Sequence, residues 1–416
     1  MTRVGLPAQW RQRRTSTLSG GEKQMVALAA TLVAGAPLFV ADEPTASLSP
    51  AVAQRVYDLV LRAPGDDTVL IVDHRLDAMI DVVDRVAVLG SEGRLIVEGP
   101  PGPLFRIHGD RLDADGIWTP LASRFDRALV RHGLAAPQPP LTMSHLLGHI
   151  DRLSDKEGMA ARSAVAETAA PVAPRPVRPA GPVVARLDHA ACAPLFGPTV
   201  LRDITMEVRA GEVIGIIGPN GAGKSTLGAS LAGLLRLKAG RRDGPPGAIA
   251  FQKPESQFLE ASVHKEIAAS LPNDAREEHA TTTLEQWGLA AVAERHPFEL
   301  SQGQKRRLAL ACLTATDRWP LLVLDEPTSG LDARGVRVIA DALQEQEQQG
   351  RALAVITHDM DFALTVCDRI IVIADGGIAA EGPARAILRD KHLLTRADLA
   401  PPTILPILDW LETVPC

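Results

Sequence analysis

Gly218-Pro219-Asn220-Gly221-Ala222-Gly223-Lys224-Ser225-Thr226 is the stretch from which the fold is read. It follows an apolar run, Val213-Ile214-Gly215-Ile216-Ile217, that predicts a buried strand, and it opens an apolar-periodic segment, Leu227 to Leu235, that predicts a helix. A glycine-rich loop between strand and helix is the setting of a phosphate-binding P-loop. The spacing G-x-x-x-x-G-K-S has a physical reason. Glycines let successive backbone N–H groups curl around phosphate oxygens, and the helix N-terminus adds its positive dipole end. Lys224 can then reach the β- and γ-phosphates, and the Ser225 hydroxyl can ligate Mg²⁺. A plain glycine turn capping a helix is the bland alternative, and the flanking strand and helix speak against it.

The chain has 416 residues, 46% of them hydrophobic, which is room for roughly two to three domains with real cores. A net charge of −6 and a pI near 6.0 give no basic field, and aromatics at 3% leave few stacking platforms, so composition speaks against a nucleic-acid partner. Cys192, Cys312, Cys367 and Cys416 lie far apart without C-x-x-C spacing, which fits a reducing compartment and no cysteine-rich metal cluster. The start of the chain lacks the apolar core of a signal peptide. The most membrane-like run, Val26 to Ala41, is broken by Gly35 and Pro37 and ends on Asp42-Glu43, so it predicts a helix and then a buried strand.

Read in order, the chain repeats itself. Leu18-Ser19-Gly20-Gly21-Glu22-Lys23-Gln24 returns as Leu300-Ser301-Gln302-Gly303-Gln304, and Leu38 to Thr45, ending Asp42-Glu43-Pro44-Thr45, returns as Leu321 to Thr328. The strand Thr68 to Val72 with Asp73-His74 returns as Ala354-Val355-Ile356-Thr357-His358, and the hairpin Asp84 to Leu89 and Arg94 to Gly99 returns near Asp368 and Glu381. The offset stays at about 283 residues, the mark of a duplicated domain. The copies are unequal: the residues before Ser19 hold no P-loop strand and no P-loop, so the first copy is expected to be incomplete and poorly stable by itself. A start placed too far downstream would produce the same picture. The expected organisation is a partial domain over 1–115, a helical appendix over 116–155, an Ala/Pro-rich extended linker over 156–182, a complete domain over 183–395 and a helical appendix over 396–416 that closes the second copy.

With these motifs in order, the second half resembles an ABC-transporter ATPase, and the first half resembles the C-terminal part of another. The resemblance implies an α/β fold of the P-loop NTPase type in tandem copies, with ATP and Mg²⁺ as cofactors. It makes Gly218, Pro219, Asn220, Gly221, Ala222, Gly223, Lys224, Ser225 and Thr226 the Walker A nucleotide cradle, Leu300 to Gln304 the signature, Ser329-Gly330-Leu331-Asp332 the D-loop, and Gln252 the Q-loop glutamine. Ser225, Gln252 and Asp325 would serve the metal, while Glu326, His358 and Gln252 would serve catalysis. The chemistry agrees: Asp325 is a hard oxygen ligand at a strand end, Glu326 can orient or deprotonate the attacking water, and His358 can hydrogen-bond a γ-phosphate. Such domains work as head-to-tail pairs, so Ser19, Gly20, Gly21 and Glu22 would complete the nucleotide site in trans.

Three positions depart from the family pattern. Gln302 replaces the first signature glycine, Ser49 stands where the second copy has Asp332, and no aromatic is well placed to stack on adenine, Phe196 reading as a core residue. Gln252-Lys253-Pro254-Glu255-Ser256-Gln257 resembles the Q-loop of energy-coupling factor ATPases, which drive uptake of vitamins or of cobalt and nickel ions. The implied partners are a transmembrane subunit, a substrate-binding membrane component and a second ATPase chain, at the cytoplasmic face of the membrane. The competing class is a tandem ABC protein acting on ribosomes or nucleic acid; a Pro-rich rather than charged helical linker and the acidic balance disfavour it.

Overall fold

Parallel strands buried on both faces read as unbroken apolar runs, and Val213–Ile217, Ala352–Ile356 and Leu321–Asp325 up to its closing Asp325 are such runs, every residue buried. The structure, a computed structural model, describes residues 12–18, 20–45, 48, 50–61, 68–73, 76–90, 92–172, 181–272 and 276–413. Ser19, Ser49, His74 and residues 173–180 of the expected linker lie outside the described residues. The chain divides into two units, Met1–Pro171 with Asp398–Cys416, and Val172–Ala397. No described helix is long and apolar enough to cross a membrane.

In the first unit, β1 (Leu38–Asp42) pairs in parallel with β2 (Thr68–Val72), and β3 (Val86–Leu89) pairs antiparallel with β4 (Leu95–Gly99). The helices Gly20–Val33 and Pro50–Leu61 supply Met25, Leu28, Val56 and Val60 to a core that takes Phe39, Val69 and Ile71 from one face of β1 and β2. The other face is open, so these strands are not the buried strands the sequence suggested: their burial alternates along the chain. Beyond β4, the helices Pro101–Ala114, Leu121–Arg131, Met143–Ile150 and Asp155–Ala169 follow.

Two boundaries differ from expectation. The extended linker was expected from residue 156, yet Asp155–Ala169 is helical, started by a capping box in which Ser154 and Glu157 satisfy each other's end of the first turn. Its Ala161, Ala164, Val165 and Ala169 are buried, so the Ala-rich composition marks a close-packing helix face rather than a tether. The closing helix Leu405–Thr413 packs on Asp155–Ala169 and Met143–Ile150, and therefore belongs to the first unit, not to the second copy it was expected to close. Its buried Leu405, Ile407 and Leu408 give it an apolar stripe for that contact.

The second unit holds two sheets. β5 (Val183–Cys192), β6 (Leu201–Arg209) and β8 (Ala239–Asp243) form an antiparallel sheet in the order β6-β5-β8, with β7 (Val213–Ile217) leaving it for the other. That second sheet has the order β13-β12-β7-β11-β10-β9, where β9 is Ala248–Ala250, β10 Leu321–Asp325, β11 Ala352–Ile356, β12 Arg369–Ala374 and β13 Gly377–Pro383. All neighbours are parallel except β12 and β13. The helix Lys224–Leu231 touches β5, β10 and β11, and Leu227 and Leu231 join a core shared by both sheets. The helix Val263–Ser270 packs against both Arg276–Gln286 and Gln302–Thr314, and the last of these also meets β9.

Candidate active site

In an open parallel sheet, ligands bind beyond the C-terminal strand ends, and the candidate residues gather there. The loop after β7 turns through left-handed glycines, Gly218 at φ 151°, Gly221 at 82° and Gly223 at 97°. A side chain at Gly218 would also overlap the carbonyl of Ile373, so no other residue fits. Gly223 is the N-cap of Lys224–Leu231 and offers no side chain to the first turn, which leaves the helix N–H groups for an anion. Lys224 is buried, and its Nζ donates to the carbonyls of Gly218 (2.8 Å) and Pro219 (2.9 Å). Burial pushes its ammonium pKa down, against the pull of Glu326 and Asp325.

Asp325 ends β10 and is buried; burial pushes its carboxyl up, opposed by a hydrogen bond from the Ser225 hydroxyl. A hydroxyl and a carboxylate sharing a hydrogen bond beneath a phosphate loop are a donor set of hard oxygens, which fits Mg²⁺. Glu326 is buried and left-handed, at φ 52°, its N–H donating to Ile356 O at 2.8 Å. The turn aims its carboxylate away from Asp325's strand line, to where Oε2 lies 2.8 Å from His358 Nδ1. A carboxylate so held keeps its other oxygen to accept a proton from water. Gln252 is exposed, and its carbonyl accepts from Arg306 Nη2 at 3.1 Å while Arg306 Nη1 donates to Asp325 O at 3.2 Å.

Arg306 was missed by sequence reasoning, as was Glu255, whose Oε1 takes Gln302 Nε2 and Lys305 Nζ at 3.1 Å each. Through these bonds the stretch Gln252 to Glu255 is fastened to the helix Gln302–Thr314, and Gln302 has a partner that glycine would lack. Ser301 caps that helix, its Oγ accepting from Gln304 N–H at 3.3 Å, and Asp332 caps Ala333–Gln348 through Gly335 N–H at 2.6 Å. Phe196, expected in the core, is 96% exposed. Val200 N–H closes the loop onto Cys192 O at 3.0 Å, which leaves Phe196 projecting between two prolines with nothing to pack on. In the first unit, Gly20 and Gly21 open the helix Gly20–Val33, and Glu22 pairs with Arg13 at 3.1 Å. Glu43 repeats the left-handed turn of Glu326, at φ 43°, with its N–H on Val72 O at 2.8 Å.

Residues 1–46 and 201–329 match the ABC transporter family, one stretch in each unit. A Bacillus subtilis protein with the provisional name HMP/thiamine import ATP-binding protein is 31% identical over 422 residues, covering 97% of this chain and 73% of that protein. The chain belongs to the family of ABC transporter ATPases. Members of this family are ATP-hydrolysing transport ATPases, and the mixed α/β architecture above is theirs. An ABC transporter ATP-binding protein, so named provisionally, from Methanosarcina acetivorans is 32% identical over 408 residues, with 93% of this ABC ATPase and 66% of that protein covered. This ABC ATPase therefore spans about two thirds to three quarters of the length of these relatives. Among solved structures, cbiO1 from Clostridium perfringens, part of the transporter complex cbiONQ, is 28% identical with a TM-score of 0.45, covering 56% of this chain and 99% of that one.

Proposed function

We propose that this ABC ATPase binds and hydrolyses Mg²⁺-ATP in its second unit and so energises an importer of the energy-coupling factor type, carrying vitamins or cobalt and nickel ions. The observation that carries the reading is the convergence of Lys224, the Ser225–Asp325 hydrogen bond and the Glu326–His358 pair at the mouth of the glycine loop. Gly218 to Thr226 would cradle the phosphates, Ser225, Asp325 and Gln252 would hold Mg²⁺, and Mg²⁺ would supply charge neutralisation on the β- and γ-oxygens. Glu326 orients and deprotonates the attacking water while His358 holds Glu326 and the γ-phosphate. Ser19 to Glu22 of the first unit provide the completing signature.

Import is supported by the HMP/thiamine name of the Bacillus relative and by the Q-x-P-x-x-Q stretch. In that stretch Gln257 Oε1 accepts from Phe251 N–H at 3.3 Å, which shapes the loop, and exposed Phe251 and Leu259 flank it as apolar anchors for a membrane subunit at the cytoplasmic face. Equilibrium titration with a non-hydrolysed ATP analogue and Mg²⁺ should find one site per chain, abolished in Lys224→Ala; two sites of similar affinity would refute the assignment. In cells, Glu326→Gln should abolish uptake of thiamine, cobalt or nickel. Unchanged uptake of all three, with ATPase activity stimulated by ribosomes, would place the protein in the other class.

A further inference from the structure

Arg306 stands in the helix Gln302–Thr314, and its side chain is buried. Its fork spans the ends of two neighbouring strands: Nη2 donates to Gln252 O, just beyond β9, at 3.1 Å, and Nη1 to Asp325 O, the last residue of β10, at 3.2 Å. The pairing of β9 with β10 ends at Ala250 and Leu324, so the guanidinium carries the connection past the last rung of the ladder. Burial pushes its pKa down, against the pull of Glu326, Asp325 and Glu255, and a guanidinium keeps its charge regardless. Its Nε is buried with no hydrogen-bond partner among the described residues, a desolvation cost that a purely structural side chain could avoid. Gln24 follows Ser19 at the spacing at which Arg306 follows Ser301, and its Nε2 donates to Glu43 O at 3.0 Å. A neutral amide therefore suffices to hold such a strand end, and the second arm of Arg306 has another use.

We propose that Arg306 is a positioning residue for ATP hydrolysis, its two nitrogens setting the spacing between Gln252 and the end of β10 before Mg²⁺ binds. This role rests on the nucleotide reading above and adds to it a side chain whose donors are taken up by backbone carbonyls. A metal site assembled from two loops costs the ordering of both when the metal binds, and a clasp already closed in the empty protein removes that cost. Because the fork takes the carbonyl of Asp325, the carboxylate, with its Ser225 hydrogen bond, is left for the cation. A lysine would not replace it, since an ammonium presents one nitrogen where the fork presents two at fixed spacing. The other tie between this loop and the helix, from Glu255 Oε1 to Gln302 and Lys305, lies three residues on and holds the loop beyond Gln252.

The test uses the full chain and Arg306→Gln, the residue that Gln24 supplies at the matching place. Amide exchange measured with neither nucleotide nor metal should quicken roughly tenfold or more over 251–257 in the variant, with exchange over 352–356 unchanged. Titration with a non-hydrolysed ATP analogue should need about 10–100-fold more Mg²⁺ for half-maximal binding, the usual loss when a group that orients a metal ligand is removed. Analogue binding without Mg²⁺, set by the glycine loop and Lys224, should stay the same. Arg306→Lys should fail in the same two measurements. An unchanged Mg²⁺ dependence in Arg306→Gln, or its full recovery in Arg306→Lys, would overturn the proposal. So would equal weakening of binding with and without Mg²⁺, the mark of a merely structural side chain. If neither variant folds, the unaltered chain decides: exchange over 251–257 within about tenfold of that over 321–325 supports the clasp. Exchange there as fast as over 195–199, where Phe196 stands exposed, overturns it. An unaltered chain that binds no analogue would refute the nucleotide reading instead, and the exchange measurement would still decide the clasp.

Discussion

Asp325 is caught between two demands, since burial disfavours its charge while the Mg²⁺ contact proposed for it calls for an ionised carboxylate. Its pKa lies above the ordinary 3.8, so the folded chain holds the proton more tightly than the unfolded one. The ionised carboxylate therefore costs stability, the cost growing as pH rises through the raised pKa and vanishing below 3.8, where both states are protonated. Asp325→Asn should accordingly raise the Tm of the second unit at neutral pH, with a gain that shrinks as the pH falls toward 4, and should abolish Mg²⁺-dependent nucleotide binding. Calorimetry at several pH values checks this, and an unchanged Tm at neutral pH refutes it. Glu326 presents the opposite case, a group whose shape survives replacement and whose chemistry does not. Gln keeps the hydrogen-bonding outline but loses the proton acceptor, so Glu326→Gln should cut turnover roughly 10²–10⁴-fold with ATP still bound. Normal hydrolysis by this variant would move the general base elsewhere.

At the scale of elements, the helices Pro101–Ala114 and Leu121–Arg131 are joined by buried charge. Arg106 clasps Asp126 at 2.7 Å through two nitrogens, and Arg127 meets Asp110 at 2.7 Å, Asp113 and the carbonyl of Phe105. Gly109 is what lets that guanidinium lie against the facing helix, because a Cβ there would overlap it. Gly109→Ala should push the buried Arg127 guanidinium from its partners and, since leaving a buried donor unsatisfied costs about 1–3 kcal/mol, lower the denaturant midpoint of the first unit. Gly158→Ala, in a helix where the added Cβ meets nothing within 4 Å, should raise it by about 0.5–1 kcal/mol. Equal effects would show that helix propensity, not the guanidinium, governs both sites. None of this was legible in the sequence, since Arg127 and Gly109 become neighbours only once two helices pack. What was legible carried its own local code: the loop from Gly218 to Thr226, the strands ending on Asp42-Glu43 and Asp325-Glu326, and the hairpin of β3 and β4. The left-handed backbone at Glu43 and Glu326 was hidden because nothing about glutamate announces it, and the open face of β1 and β2 because an apolar run does not say which neighbours will cover it. The helix Asp155–Ala169 could have been found from Ser154 and Glu157, a capping-box spacing overlooked beside the prolines that follow.

At the scale of the whole molecule, the 416 residues carry two signature stretches, Leu18 to Glu22 and Leu300 to Gln304, and the P-loop Gly218 to Thr226, so which signature works with that P-loop is a question of pairing. A P-loop, a metal ligand and a base leave one side of the γ-phosphate exposed to water, and donors aimed at the charge developing there must come from a signature. Losing one such donor typically costs about 10²–10³ in rate. We propose that the first unit's signature serves the P-loop of the second, so Ser19→Ala with Gly20→Asp should cut hydrolysis by that order. Nucleotide affinity, set by Lys224 and Ser225, should stay near its original value. Ser301→Ala is the control, and its cap on Gln302–Thr314 makes a small effect expected in any case, since losing a serine cap costs about 1 kcal/mol of helix stability. That loss should appear as a lower Tm with turnover at a saturating nucleotide concentration nearly unchanged. Measuring both variants at several protein concentrations separates the arrangements. A turnover collapse in Ser301→Ala, none in the Ser19 and Gly20 variant, and activity that rises with concentration would mean that second units pair between chains, and would exclude the first unit's signature from the working site.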